Sequence, residues 1–165
     1  MIDRLILVAV KSTYRRNSVI HQVIERMQKE DTVFIPIGYW ERDDTLSYRD
    51  GINWMVESFR YLDTPQNTLI VIDDIVPLID TPEGYLFPLL LELYKEKGVR
   101  FVMGTSLISS DYLTPHLRSL CSTVISTMVN SEMQSRLLVG TRGAEILEDD
   151  EYLMKRKGRI TKGTL

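Results

Sequence analysis

The residues best placed to do chemistry are two adjacent carboxylates, Asp73 and Asp74, which follow the apolar run Leu69-Ile70-Val71-Ile72. Gln66 and Asn67 precede the run and Pro77 follows it, so it reads as a short strand buried on both faces. Carboxylates at the end of such a strand are costly unless something positive meets them. The carboxyl end of a strand in an open α/β sheet is also where ligands sit. Two readings follow. In one, Asp73 holds a Mg²⁺ ion, usually through water, and Asp74 orients an attacking water for phosphoryl transfer. In the other, the pair caps the next segment or faces solvent. The stretch ending at Ile75 does not by itself separate them.

The elements that must position the pair are legible in the periodicity. Strands are expected at Arg4–Val10, Thr32–Ile37, Leu69–Ile72, Val99–Thr105 and Thr123–Thr127. A polar, basic loop is expected over Lys11–Ser18. Asn17 or Ser18 would then cap a helix carrying Val19, Ile20, Val23, Ile24 and Met27. Further helices are expected over Asp50–Leu62, from near Glu83 to the Lys95-Glu96-Lys97-Gly98 stop, and over Glu132–Val139, with mostly helix or turn from Asp111 to Leu120. The tail from Glu151 reads as a hairpin around Lys157-Gly158, basic through Lys155, Arg156, Lys157, Arg159 and Lys162. Strands alternating with helices give an α/β fold: a mostly parallel sheet of about five strands flanked by helices, with a small C-terminal antiparallel addition.

The 165 residues suffice for one domain spanning 1–165. A composition 44% hydrophobic and 26% charged is that of a soluble globular chain, and the net charge of −3 gives no overall basicity of the nucleic-acid-binding kind. One cysteine, Cys121, excludes an internal disulfide and suits a reducing, cytoplasmic setting. Leu120-Cys121-Ser122 reads as a buried small side chain rather than a reactive thiol. No apolar run reaches membrane-span length and no signal-peptide core opens the chain. His21 and His116 have no metal-ligating neighbours in sequence; Tyr94, Tyr112 and Trp54 read as packing; Ser18, Ser106 and Ser135 lack a nucleophile-elbow setting.

Strand, loop and helix at the N-terminus have the layout of a phosphate-binding loop, but not its chemistry. A phosphate cradle needs G-x-x-x-x-G-K-[ST]: glycines to let backbone N–H groups approach, a lysine for the outer phosphates, a hydroxyl for Mg²⁺. No glycine occurs before Gly38.

From Leu69 to about Met154 the chain resembles the motor domain of the FtsK/SpoIIIE family, within the FtsK–HerA group of ring-forming P-loop ATPases. The resemblance rests on Leu69-Ile70-Val71-Ile72-Asp73-Asp74, on Gly98-Val99-Arg100-Phe101-Val102-Met103-Gly104-Thr105-Ser106, on Asp111-Tyr112-Leu113-Thr114, and on Ser135-Arg136 followed by Gly143-Ala144-Glu145 and Leu147. It implies a RecA/FtsK-like P-loop NTPase-type core and a Mg·ATP site, with Asp73 as metal ligand and Asp73 and Asp74 as the catalytic pair. It implies degenerate nucleotide contacts from Lys11, Arg15, Arg16, Asn17, Thr105 and Ser106, and Arg136 at an interface or on a phosphate.

Three parts of that apparatus depart from the family pattern. Arg16 and Asn17 stand at the Lys-Ser positions of the missing loop. Asp74 replaces the catalytic glutamate; it is one methylene shorter, which moves a carboxylate back by about an ångström. Ser106 and Leu107 stand where the family has its sensor glutamine and arginine. The expectation is a degenerate translocase domain with weak or no ATP hydrolysis. It would be a structural or regulatory part of a machine moving DNA or protein, in a homo- or hetero-oligomeric ring, with any membrane anchor or DNA-orienting module supplied by another protein. A second reading is an active ATPase in which Lys11, Arg15 or Arg16 replaces the loop lysine, although arginine does not compensate for absent glycines. A third is a nucleic-acid binder using Lys11–Arg16 and the tail 155–162 without nucleotide.

Overall fold

The computed structural model describes residues 4–10 and 13–165, with side chains from Arg15 onward in its first helix. The chain runs β1 (Leu5–Ala9), α1 (Thr13–Met27), β2 (Val33–Ile37), α2 (Tyr48–Ser58), β3 (Thr68–Ile72), α3 (Ile75–Ile79), α4 (Phe87–Glu96), β4 (Arg100–Thr105), α5 (Pro115–Leu120), β5 (Thr123–Ser126), α6 (Glu132–Val139), β6 (Glu151–Arg156) and β7 (Arg159–Thr164). The strands form one sheet in the order β2-β3-β4-β1-β5-β6-β7. β2, β3, β4, β1 and β5 are parallel, and β6 and β7 add antiparallel at one edge.

The side-chain alternation of the central strands divides the core into two layers. Leu5, Leu7 and Ala9 of β1 and Ile70 and Ile72 of β3 face α2 to α6, with Met55, Leu78, Phe87, Tyr94, Leu117 and Leu138 packed on them. Ile6 and Val8 of β1 and Leu69 and Val71 of β3 face α1, which contributes Val19, Ile20 and Ile24. Strands covered on both faces carry unbroken apolar runs, which is why β1 and β3 are wholly buried. Pro36 has no N–H to donate and lies in β2, an edge strand, where that loss is tolerated. β6 and β7 are joined at Lys157-Gly158, both with positive φ (50° and 76°), a two-residue hairpin turn.

The chain leaves β1 towards β2 on one side and leaves β4 towards β5 on the other. The carboxyl ends of β1 and β4 therefore flank the point where the winding reverses, the usual place for a crevice in such sheets. The expected fold class is what the chain adopts: a mostly parallel α/β sheet flanked by helices, with a C-terminal hairpin.

Two local expectations are corrected. The basic stretch is not a loop up to Ser18, because α1 is already helical at Thr13. Nothing from Thr13 to Ser18 is glycine or proline, and Arg16 occupies the buried stripe that continues through Ile20 and Ile24. In addition, a short helix, α3, follows the acid pair directly and precedes a single 3₁₀ turn (Gly84–Leu86) and α4.

Candidate functional site

Asp73 and Asp74 leave the end of β3 and lie buried, 2% and 8% exposed. The Asp73 amide donates to the Ile37 carbonyl (3.3 Å), so the end of β2 is held beside it. Its carboxylate is then enclosed from two sides. The Tyr48 hydroxyl donates to Oδ1 at 2.6 Å and the Tyr39 amide donates to Oδ2 at 3.1 Å. Tyr48 is the first residue of α2, whose N-terminus is fixed by Ser47 accepting from the Asp50 amide. The approach requires Gly38: its φ is +114°, and a Cβ there would sit 1.9 Å from Asp73 Oδ1. Burial, the largest influence, raises the Asp73 carboxyl above its ordinary value of 3.8, against the opposing effects of Tyr48, the Tyr39 amide and Arg16. Tyr48 is itself pushed up, first by burial and then by its bond to Asp73.

Asp74 serves two elements. Its Oδ1 caps α3 by accepting from the Val76 amide (3.1 Å) and accepts from the Ser106 amide just past β4 (3.1 Å). Its Oδ2 lies 3.9 Å from Nη1 of Arg16. Arg16 is 3% exposed, and its Nε and Nη1 have no hydrogen-bond partner among the described residues. Its stem crosses β4 where Gly104 leaves room: a Cβ at Gly104 would be 2.0 Å from the Asp73 carbonyl oxygen and 2.7 Å from Arg16 Cδ.

Of the residues singled out by sequence, Asp73, Asp74, Arg16 and Ser106 come together, the last through its amide. Thr105 is adjacent and buried, its hydroxyl donating to the Leu107 carbonyl (2.9 Å). Arg15 points elsewhere, with Nη1 3.9 Å from Asp149 Oδ1. Asn17 lines a cleft of about 610 Å³ with His21, Tyr39 and Trp40, and its Oδ1 has no partner among the described residues. Lys11 lies outside the described residues. Arg136 is exposed on α6 and paired with Glu132 (2.7 Å), apart from the acid pair.

The Ser135-Arg136…Gly143-Ala144-Glu145 pattern has a structural use at Ser135. The buried Ser135 hydroxyl accepts from the Ala144 amide (3.0 Å) and donates to the Thr141 carbonyl (2.7 Å). The Glu145 carboxylate accepts from the Gly143 amide (2.8 Å), which holds it below the usual range. Tyr94 and Trp54 pack as expected, and burial pushes the Cys121 thiol up to about 12. Sequence reasoning missed Tyr48, Tyr39 and Gly38, which enclose Asp73 from 25 to 35 residues upstream. The available signal was Gly38, the first glycine of the chain, directly after a strand.

No family model and no curated protein sequence matches the chain. Solved structures do. The pCW3 conjugation coupling protein TcpA, in its monomer form with ATPγS, superposes with a TM-score of 0.76 at 12% identity over 98% of this chain. The fold is that of the FtsK–HerA group of P-loop ATPases. The genome packaging NTPase B204 of Sulfolobus turreted icosahedral virus 2, with ATPγS, gives 0.69 at 13% identity over 97%. The cytoplasmic domain of the Thermomonospora curvata type VII secretion ATPase EccC gives 0.68 at 13% identity over 97%. The chain spans 60% of TcpA, 25% of EccC and 96% of B204. The FtsK-type likeness thus includes the residues before Leu69, where the motifs are silent.

An FtsK-type fold implies Mg·nucleotide at the carboxyl ends of β1, β3 and β4, and the described residues do not fit it. From the fourth residue past β1 the chain is helix rather than a loop free to wrap a phosphate. Arg16 covers Gly104. Both Asp73 oxygens are engaged by the chain itself. The space beside Val10, Thr105, Ser106 and Val129 measures about 80 Å³, and the larger cleft near the acid pair is the one lined by Asn17, Tyr39 and Trp40.

Proposed function

We propose that the chain is a degenerate FtsK-type domain that serves a DNA- or protein-moving machine as a structural or regulatory part, without productive ATP hydrolysis of its own. The observation that carries this reading is the enclosure of Asp73. A metal-bearing carboxylate must offer its oxygens to water and Mg²⁺, whereas Asp73 is closed over by Tyr48 and the Gly38-Tyr39 backbone. The likeness to a conjugation coupling protein, a packaging NTPase and a secretion ATPase supports the translocation context. In an oligomeric ring of this chain with itself or with an active ATPase, Arg136 is an interface residue, exposed and free of any role in the buried acid pair. Phosphate release from Mg·ATP, with and without duplex DNA, tests the reading. The expected rate matches that of Asp73→Ala; turnover that Asp73→Ala abolishes contradicts it.

A second reading, nucleic-acid binding without nucleotide, is favoured by the C-terminal hairpin. A cleft of about 460 Å³ on one side is lined by Arg118, Arg136, Lys155 and Lys157. Another of about 540 Å³ is lined by Arg156, Lys157 and Arg159. Fluorescence anisotropy with labelled duplex DNA tests it. Binding that weakens with salt and with Lys155→Glu/Lys157→Glu supports it, and indifference to both removes it.

A further inference from the structure

We infer that Arg16 is a resident cation: its guanidinium supplies beside the acid pair the positive charge that an exchangeable Mg²⁺ ion would bring, and keeps this end of the sheet closed. The inference rests on the non-hydrolysing reading above and adds the device that maintains it.

Position and cost carry the argument. Arg16 belongs to the buried stripe of α1, in line with Ile20 and Ile24, both buried. An aliphatic residue there would complete the stripe with no charge to desolvate. A guanidinium in that position is expensive to bury unless charge meets it, and this one leaves Nε and Nη1 without hydrogen-bond partners among the described residues. The compensation available is the acid pair. Nη1 lies 3.9 Å from Asp74 Oδ2, and the Arg16 charge also acts on Asp73 and Tyr48. In turn, two buried neighbouring carboxylates need a cation. In a working nucleotide site the loop lysine is resident, and the further charge of Mg²⁺ arrives with the ligand and leaves with the product. Arg16 is tethered to α1, permanently charged and unable to exchange. Gly104 borders the same arrangement: a Cβ there would meet the Asp73 carbonyl oxygen first, at 2.0 Å, and the Arg16 stem at 2.7 Å.

The device predicts that divalent metal and Arg16 compete for one role. Thermal unfolding is followed for the wild type, Arg16→Ala, Arg16→Met and Arg16→Lys, with and without millimolar MgCl₂ at matched ionic strength and no nucleotide. The wild-type midpoint is expected not to move with Mg²⁺. Arg16→Ala leaves the carboxylates uncompensated and opens space; its midpoint falls by on the order of 10 °C and recovers in part with Mg²⁺. Arg16→Met keeps the stem but not the charge, so it falls similarly and does not recover. Arg16→Lys lies nearest the wild type. A wild-type midpoint that rises with Mg²⁺, or an Arg16→Met protein as stable as the wild type, overturns the inference. If Arg16→Ala does not fold, the wild-type titration and Arg16→Met still decide it. These outcomes are separable from the function itself. ATP turnover abolished by Asp73→Ala would refute the non-hydrolysing reading, whereas a charge-insensitive position 16 refutes the role of Arg16 alone.

Discussion

Replacing Tyr48 with phenylalanine removes one hydroxyl and tests how Asp73 is held. The bond it deletes is short, 2.6 Å, and ends on a carboxylate 2% exposed. A hydrogen bond to a charged group contributes about 1.5–3 kcal/mol, and in a chain of this size that lowers the unfolding midpoint by about 3–12 °C. The effect must depend on pH, and the sign is fixed. Burial raises the Asp73 carboxyl above its ordinary 3.8, so between that value and its native one the folded state holds more protons than the unfolded state. The contribution of this group to stability is therefore fully present below the ordinary value and is lost as pH rises through the native one. Tyr48 opposes that loss by donating to the ionised form. The gap between wild type and Tyr48→Phe should be widest where Asp73 is ionised and should narrow as acid protonates it. Urea or thermal unfolding across pH 4–8 measures the gap. A Tyr48→Phe protein within about 0.5 kcal/mol of wild type at neutral pH, or a gap that does not change with pH, would refute the account of Asp73.

Gly38→Ala places a Cβ 1.9 Å from Asp73 Oδ1 at a φ of +114°; strain alone costs about 1–3 kcal/mol, and denaturant unfolding should show at least that loss. Ser135→Ala removes a buried hydroxyl that both donates and accepts; a loss of about 1–3 kcal/mol is expected, with faster amide exchange at Ala144. Arg136→Ala deletes an exposed pair with Glu132 and should change stability by less than about 0.5 kcal/mol; a larger loss would mean that Arg136 has a structural role within the single chain.

The fold was legible because strong signals coincided. β1 and β3 are unbroken apolar runs, α6 begins and ends where its pattern does, and Lys157-Gly158 marks the hairpin turn. The acid pair was legible as well, since two carboxylates after a buried strand demand a partner. That partner was harder to read. Arg16 looked like one cation in a basic loop, because a charged residue on a helix's buried stripe mimics a loop residue when only apolar periodicity is followed. Asp73's enclosure was barely visible: Gly38 directly after a strand marked an unusual position, but Gly38, Tyr39 and Tyr48 reach Asp73 only through the pairing of β2 with β3, a non-local contact. Asp74 caps α3, as the second opening reading has it, and its other oxygen faces Arg16.

The central claim is that the chain itself occupies the place where its fold would hold Mg·nucleotide. Calorimetric titration of the wild type with Mg·ATP and Mg·ADP, with Asp73→Ala in parallel, tests this most directly. The account predicts no saturable heat into the millimolar range for either protein. Saturable binding by the wild type that Asp73→Ala abolishes would contradict it, because Asp73 would then be serving a ligand and not only Tyr48 and the Tyr39 amide.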